Sequence, residues 1–267
     1  MNKLLRYWGR RLIHGEGGTR VGGEFQTPDR DLYQMDLKHP FAQLESDARE
    51  SRIVRNTLRA LREAGMLAND DYDEHKYRLS RDAARRLLDI PWSALTPRMQ
   101  RLIYAINAIH QPQVMIAAGV FCGFTFLANA SAAVGPGCVY RARELIGLEI
   151  NPREAARAEL NLRSFDSMGT ARIVARDAID FCRHWADRID LLYLDADGDG
   201  GRGKSIYREI LDAAWDKLAP GALLLAHNSV NGASQMRSYL AFVRDSGNCR
   251  ASLNIVFDPE GLEVSVR

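Results

Sequence analysis

The sequence predicts an α/β fold: a mostly parallel sheet with helices on both faces, behind a helical N-terminal module. Three observations carry this. From Pro97 onward, short apolar runs alternate with stretches of helical periodicity, as repeated strand–helix units do. Gly119 and Gly123 follow the first run, where a chain turns tightly from strand into helix. Acidic residues follow the next three runs, at Glu149, Asp177 and Asp195, which collects them on one edge of such a sheet.

Residues 1–96 form the N-terminal module. The segment over 1–13 is basic and amphipathic, with Leu4, Leu5, Trp8 and Leu12 on one side, and is expected to pack on the body of the protein. It lacks the continuous apolar run of a signal peptide. The spacing of Leu44, Ile53, Val54, Leu58 and Leu61 predicts a helix over 41–64, stopped by Gly65. After a turn at 69–71, Tyr77–Ser80 reads as a short strand, and Ser80 as the cap of a helix over 81–88. This order resembles a winged-helix module, which serves DNA-binding regulators and also serves as a dimerisation unit. With 17 Lys/Arg against 15 Asp/Glu in residues 1–96, a lid or dimerisation role is favoured over DNA.

Residues 97–267 form the second unit. Helices are predicted over 97–110, 124–133, 152–164, 178–185, 205–218 and 233–244, and strands over 113–118, 144–150, 171–174, 189–195 and 222–226. Two last strands, 251–257 and 261–266, turn at Asp258–Gly261 and add an antiparallel strand, giving seven in all. The uncharged run over 114–134 is about as long as a membrane span. Thr125, Asn129 and Ser131 interrupt it, and strand, glycine turn and helix explain it better.

Composition excludes several classes. The chain is 46% hydrophobic and 26% charged with a formal charge of +2, so neither a nucleic acid nor an acidic membrane is expected as a partner. Cys122, Cys138, Cys182 and Cys249 are far apart and form no metal-spaced pair; reduced thiols and a cytoplasmic location are expected.

The chemistry concentrates at strand ends. Ala118, Gly119 and Gly123 would let backbone approach a ligand, Glu149 would hold ribose hydroxyls with Ile150 beside it in the cofactor site, and Asp177 with Ala178 would flank an adenine. The residues 117–124, AAGVFCGF, 147–150, GLEI, and 189–197, IDLLYLDAD, follow one another with Leu218–Asn228 and the final GLEVSV. In that order they resemble the class I S-adenosylmethionine (SAM)-dependent methyltransferases, most closely the catechol and caffeoyl-CoA O-methyltransferase group. The resemblance spans residues 95–267. It implies a Rossmann-like, seven-stranded SAM-methyltransferase sheet, SAM as cosubstrate, Asp195 at the sulfonium end, a small-molecule acceptor and a homodimer.

Two departures matter. The family carries an acidic residue where Ala117 stands, and an Asp where His227 stands in a divalent-metal site matching Asp195, His227 and Asn228. A His suits a softer metal such as Zn²⁺ or Fe²⁺; lacking the second carboxylate, a Mg²⁺ site is poorly charged and none is expected. His227, Asn228 and Ser229 would instead face the reacting group, with His227 as general base. Metal-independent methyl transfer to a hydroxyl or amine is therefore expected. Ala117 also allows a second reaction: a neutral α-amine of SAM attacking its own γ-carbon, forming azetidine-2-carboxylate and methylthioadenosine. A SAM-sensing winged-helix regulator is the reading from another class.

One loop carries two competing signatures. Gly198–Ser205 spells G-x-x-x-x-G-K-S, a phosphate-binding loop, but the next buried strand ends in Ala226-His227 without the acid such a site needs. Asp195, Asp197 and Asp199 begin like a calcium loop, but its twelfth position is Ile206.

Overall fold

A computed structural model describes residues 23–166 and 169–267; the amphipathic segment over 1–13 lies outside them. Eight strands are present among the described residues: β1 (Gly23–Gln26), β2 (Val114–Ala118), β3 (Glu144–Glu149), β4 (Ala171–Ala175), β5 (Ile189–Leu194), β6 (Leu218–His227), β7 (Ala251–Val256) and β8 (Leu262–Val266). They form one sheet in the order β1-β7-β8-β6-β5-β2-β3-β4. Strand β8 runs antiparallel to β6 and β7; the other neighbours are parallel.

The central strands are covered on both faces. Along β2, Met115 and Ala117 join one apolar cluster while Ile116 and Ala118 join the other, the period-two alternation of a strand buried on both sides. The first cluster takes in α1 (Asp47–Glu63), α2 (Glu74–Leu87), α3 (Pro97–His110), α4 (Phe124–Ala130) and α5 (Pro152–Phe165). The second takes in α6 (Ala178–His184), α7 (Ile206–Ala214) and α8 (Arg237–Val243). The uncharged run over 114–134 is β2, the glycine turn and α4, and no helix among the described residues is long and apolar enough to cross a membrane.

Two expectations are corrected. The sheet has an eighth strand, β1, whose Phe25 pairs with Ile255 across most of the chain. It is four residues long with Phe25 as its single buried position, too little for a periodic signal. The winged-helix reading also fails, because Tyr77–Ser80 lies inside α2 and forms no wing strand. Asp73 starts that helix, its side chain accepting from Lys76 N at 2.9 Å. Tyr77, Ser80 and Ala84 are buried at helical spacing, and that stripe, not a strand's alternation, is what the helix presses onto the body.

Two arginines of α3 bind the N-terminal segment to the sheet. Arg98 and Arg101 have fully buried side chains. Arg98 donates to both oxygens of Glu45 at 2.7 Å, to Asp29 at 2.8 Å and to Phe257 O at 3.1 Å. Arg101 Nε donates to Glu50 Oε1 at 2.6 Å, and Arg81 grips the same carboxylate at 2.9 and 3.0 Å. Glu50 thus balances two guanidinium groups, one of them entirely out of water. Removing one partner of a buried pair leaves an uncompensated charge, which costs about 3–5 kcal/mol. Glu50→Ala should therefore lower unfolding free energy by about 3 kcal/mol or more in urea titrations. Glu63→Ala, on the exposed end of α1, should stay within about 0.5 kcal/mol.

Candidate active site

Strand order reverses between β2 and β5, so the connections on either side leave in opposite directions and open a cleft at the carboxyl edge. A cleft of about 490 Å³ lies there. Its lining includes Gly119, Glu149, Ile150, Asp177, Ala178, Asp195, His227 and Asn228, which brings together eight of the eleven sequence-derived site residues.

Gly119 sets the floor. Its φ is +79°, and a Cβ there would sit 2.3 Å from Ala196 Cα. That proximity comes from the sheet itself: Gly119 N donates to Leu148 O, and Asp195 N donates to Ala118 O, both at 2.9 Å. Ala118 lies beneath the lining and contributes this carbonyl. Gly123, at φ +89°, sits against Ala158 of α5 and begins α4. Between the glycines the chain doubles back over β3, and Phe121 N donates to Glu149 Oε2 at 2.8 Å while Asn151 N donates to Oε1 at 2.9 Å. The Glu149 carboxylate is fixed at the lip of the cleft with lone pairs to spare. Asp177 caps α6, accepting from Asp180 N at 2.8 Å through Oδ1. Exposed Ile150 hangs over this end.

At the other end stand Lys204, Asp195, Asp197 and His227. Lys204 Nζ lies 3.1 Å from both Asp195 O and Asp195 Oδ1, and 3.3 Å from Asp197 Oδ2. His227 Nδ1 lies 3.4 Å from the same Asp195 oxygen, long for a hydrogen bond, and the ring is buried with no other partner for either nitrogen. Burial would raise the Asp195 carboxyl, but the charges of Lys204 and His227 outweigh it and hold the group below the usual carboxylate range. Burial likewise opposes the charged form of His227, and the Asp195 carboxylate more than offsets that, so its pKa is raised above 6.5. Asn228, in a left-handed turn at φ +63°, donates from Nδ2 to Glu260 Oε2 at 2.6 Å. Ser229 is not in the lining; its buried Oγ donates to Asn254 Oδ1 at 2.6 Å.

Several lining residues carried no recognised signal. Trp92 and Phe121 pack with ring centroids 4.8 Å apart, beside Leu37, and form a wall contributed partly by the N-terminal segment. Glu260 read only as part of a turn. Lys204 was visible solely as the lysine of a phosphate-loop pattern. In the fold, Gly198 and Gly203 donate to each other's carbonyls at 3.0 and 3.2 Å, so those two amides are not free to cradle a phosphate. Ile206 starts α7 with its side chain buried, which leaves the calcium pattern without its closing acid.

Residues 116–229 match the family model described as a methyltransferase domain. Solved structures agree on the fold. An O-methyltransferase from Bacillus cereus, in complex with S-adenosylhomocysteine (SAH), is 14% identical with a TM-score of 0.54, over 79% of this chain and 96% of that one. The O-methyltransferase TomG from Streptomyces achromogenes, in complex with SAM, is 18% identical with a TM-score of 0.53, over 73% and 90%. A SAH-bound Podospora anserina methyltransferase, PaMTH1, is 12% identical with a TM-score of 0.54, over 85% and 99%. Among the curated proteins no significant match is found. The described residues thus share the fold of these methyltransferases.

The floor glycine can be tested against a glycine that is merely in a turn. Gly119→Ala forces a Cβ into backbone and should cost more than about 2 kcal/mol in urea titrations. Gly200 also has positive φ but nothing within 4 Å of its Cβ position, so Gly200→Ala should cost only about 1–2 kcal/mol of left-handed strain.

Proposed function

We propose that this protein transfers the methyl group of SAM to a hydroxyl or amine of a small molecule, without Mg²⁺. The observation that carries the reading is a cleft with a pinned Glu149 carboxylate at one end and a buried His227 ring beside Asp195 at the other. Glu149 holds the ribose hydroxyls, since its oxygens keep lone pairs after accepting from Phe121 and Asn151. Asp177, Ala178 and Ile150 flank the adenine, and Gly119 lets the cosubstrate lie against backbone. Residues 37 and 92–95 of the N-terminal segment serve as the lid side of the cleft.

SAM supplies a sulfonium-bound methyl that is already electrophilic, so most of the remaining task is alignment and removal of one proton. The acceptor lone pair forms the new bond to the methyl carbon, the carbon–sulfur bond electrons pass to sulfur, and SAH leaves. His227 takes the acceptor proton on Nε2, while Asp195 beside Nδ1 orients the ring and stabilises its charged form. Asp195 acts through His227 and is a positioning residue.

The sign of the pH dependence follows. The base is the neutral ring, and its raised pKa means that it is freed only as pH climbs through a value above 6.5. The kcat profile should rise through that value. Asp195→Asn, which removes the charge responsible, should move the limb to lower pH. His227→Gln should lower kcat by about 10²–10⁴-fold with SAM affinity little changed; full kcat in that variant would remove His227 from the chemistry.

Intramolecular cyclisation is the second reading, favoured by one observation: the Ala117 position that carries a carboxylate in the resembling family is an entirely buried methyl packed in the core. Mass spectrometry of the nucleoside product separates the two. SAH formed only when acceptors are added supports methyl transfer; methylthioadenosine formed from SAM alone overturns it in favour of cyclisation.

A further inference from the structure

The geometry points to Lys204 as a built-in cation that takes the place of a divalent metal ion beside Asp195. Its role in turnover rests on the methyl-transfer reading; its position does not. The side chain is mostly buried, and its three donors are spent on Asp195 O, Asp195 Oδ1 and Asp197 Oδ2 at 3.1, 3.1 and 3.3 Å. The ammonium also lies 5.6 Å from the centre of the Tyr207 ring.

The local backbone is built to deliver it there. Pairing of Gly198 with Gly203 folds the intervening residues into a closed loop and returns the chain to Asp195. Gln235 Oε1 then accepts from Lys204 N at 2.8 Å, and the same Gln235 oxygen would lie 2.2 Å from a Cβ on Gly203, a position whose φ is +47°.

The remaining groups do not fit a divalent ion with Lys204 in place. Asp195 Oδ1 is held by the ammonium and faces His227 Nδ1, and Asn228 Nδ2 donates to Glu260 Oε2. A hard divalent ion needs several oxygen ligands at about 2.0–2.6 Å. At such range from Asp195 it would stand close to the ammonium, like charge against like. We therefore assign charge compensation of Asp195 to the lysine.

Removing the ammonium should uncover the carboxylates to a metal. The test is Mn²⁺ titration of the purified full chain, with the electron paramagnetic resonance signal of free Mn²⁺ as readout and thermal melting as a check of folding. Wild type should leave the free-ion signal essentially intact. Lys204→Ala and Lys204→Met, the second keeping most of the stem over Tyr207, should each bind one Mn²⁺ at least about tenfold more tightly than wild type. Adding Asp195→Asn should abolish that gain. Mn²⁺ uptake by wild type that Asp195→Asn removes would overturn the assignment, as would folded Lys204 variants that gain no affinity. The readout uses neither SAM nor an acceptor, so it can fail while the methyl-transfer reading stands, and the reverse.

Discussion

A charge taken out of water has to be met by its opposite, and this constraint organises the molecule in two places. In the first, Arg98 and Arg101 of α3 are fully buried, and the loops and helix before them exist in the form that supplies Asp29, Glu45 and Glu50. That clamp holds the N-terminal segment against the sheet, and the same segment carries Trp92, which packs on Phe121 in the wall of the cleft. In the second, the Asp195 carboxylate at the end of β5 draws Lys204 from the following loop and His227 from the neighbouring strand. The same kind of compensation thus sets the wall and the chemistry.

The sheet then decides where those charges can act. Reversal of strand order between β2 and β5 leaves the carboxyl edge open, and Gly119 keeps the floor of that opening as bare backbone. Glu149 is fixed from the turn above it, so its carboxylate is oriented without a ligand present. Preorganisation of this kind lowers the ordering cost of binding. Asp195 and His227 sit at the far end of the same edge, which makes the proposed reaction a matter of distance along one cleft.

Most of this edge was legible because its signals are local. Glycines after a strand and acids at strand ends are fixed by the backbone each needs, and Gly119, Glu149, Asp177 and Asp195 all line one cleft. What stayed hidden depends on partners far away in sequence. Strand β1 is defined by β7, which lies more than two hundred residues on, and Phe25 alone gives no period. Tyr77–Ser80 read as a strand because four residues cannot separate alternation from the helical stripe that Ala84 completes. Ser229 follows two lining residues, yet its hydroxyl turns to Asn254 of β7. Lys204 is the instructive case. Its pattern matched a phosphate loop letter for letter, and only the pairing of Gly198 with Gly203 reveals a loop closed on itself.

The central claim is that this cleft holds an adenosine-containing sulfonium cosubstrate through Glu149. Calorimetric titration with SAH tests it most directly, because the ligand shares every group that Glu149 would contact and needs no acceptor. The account predicts one site per chain in the wild type and an affinity lower by about ten- to a hundredfold in a folded Glu149→Ala variant, the loss expected for a charged hydrogen-bonding partner. Absence of binding by the wild type, or equal affinity in the variant, would contradict it.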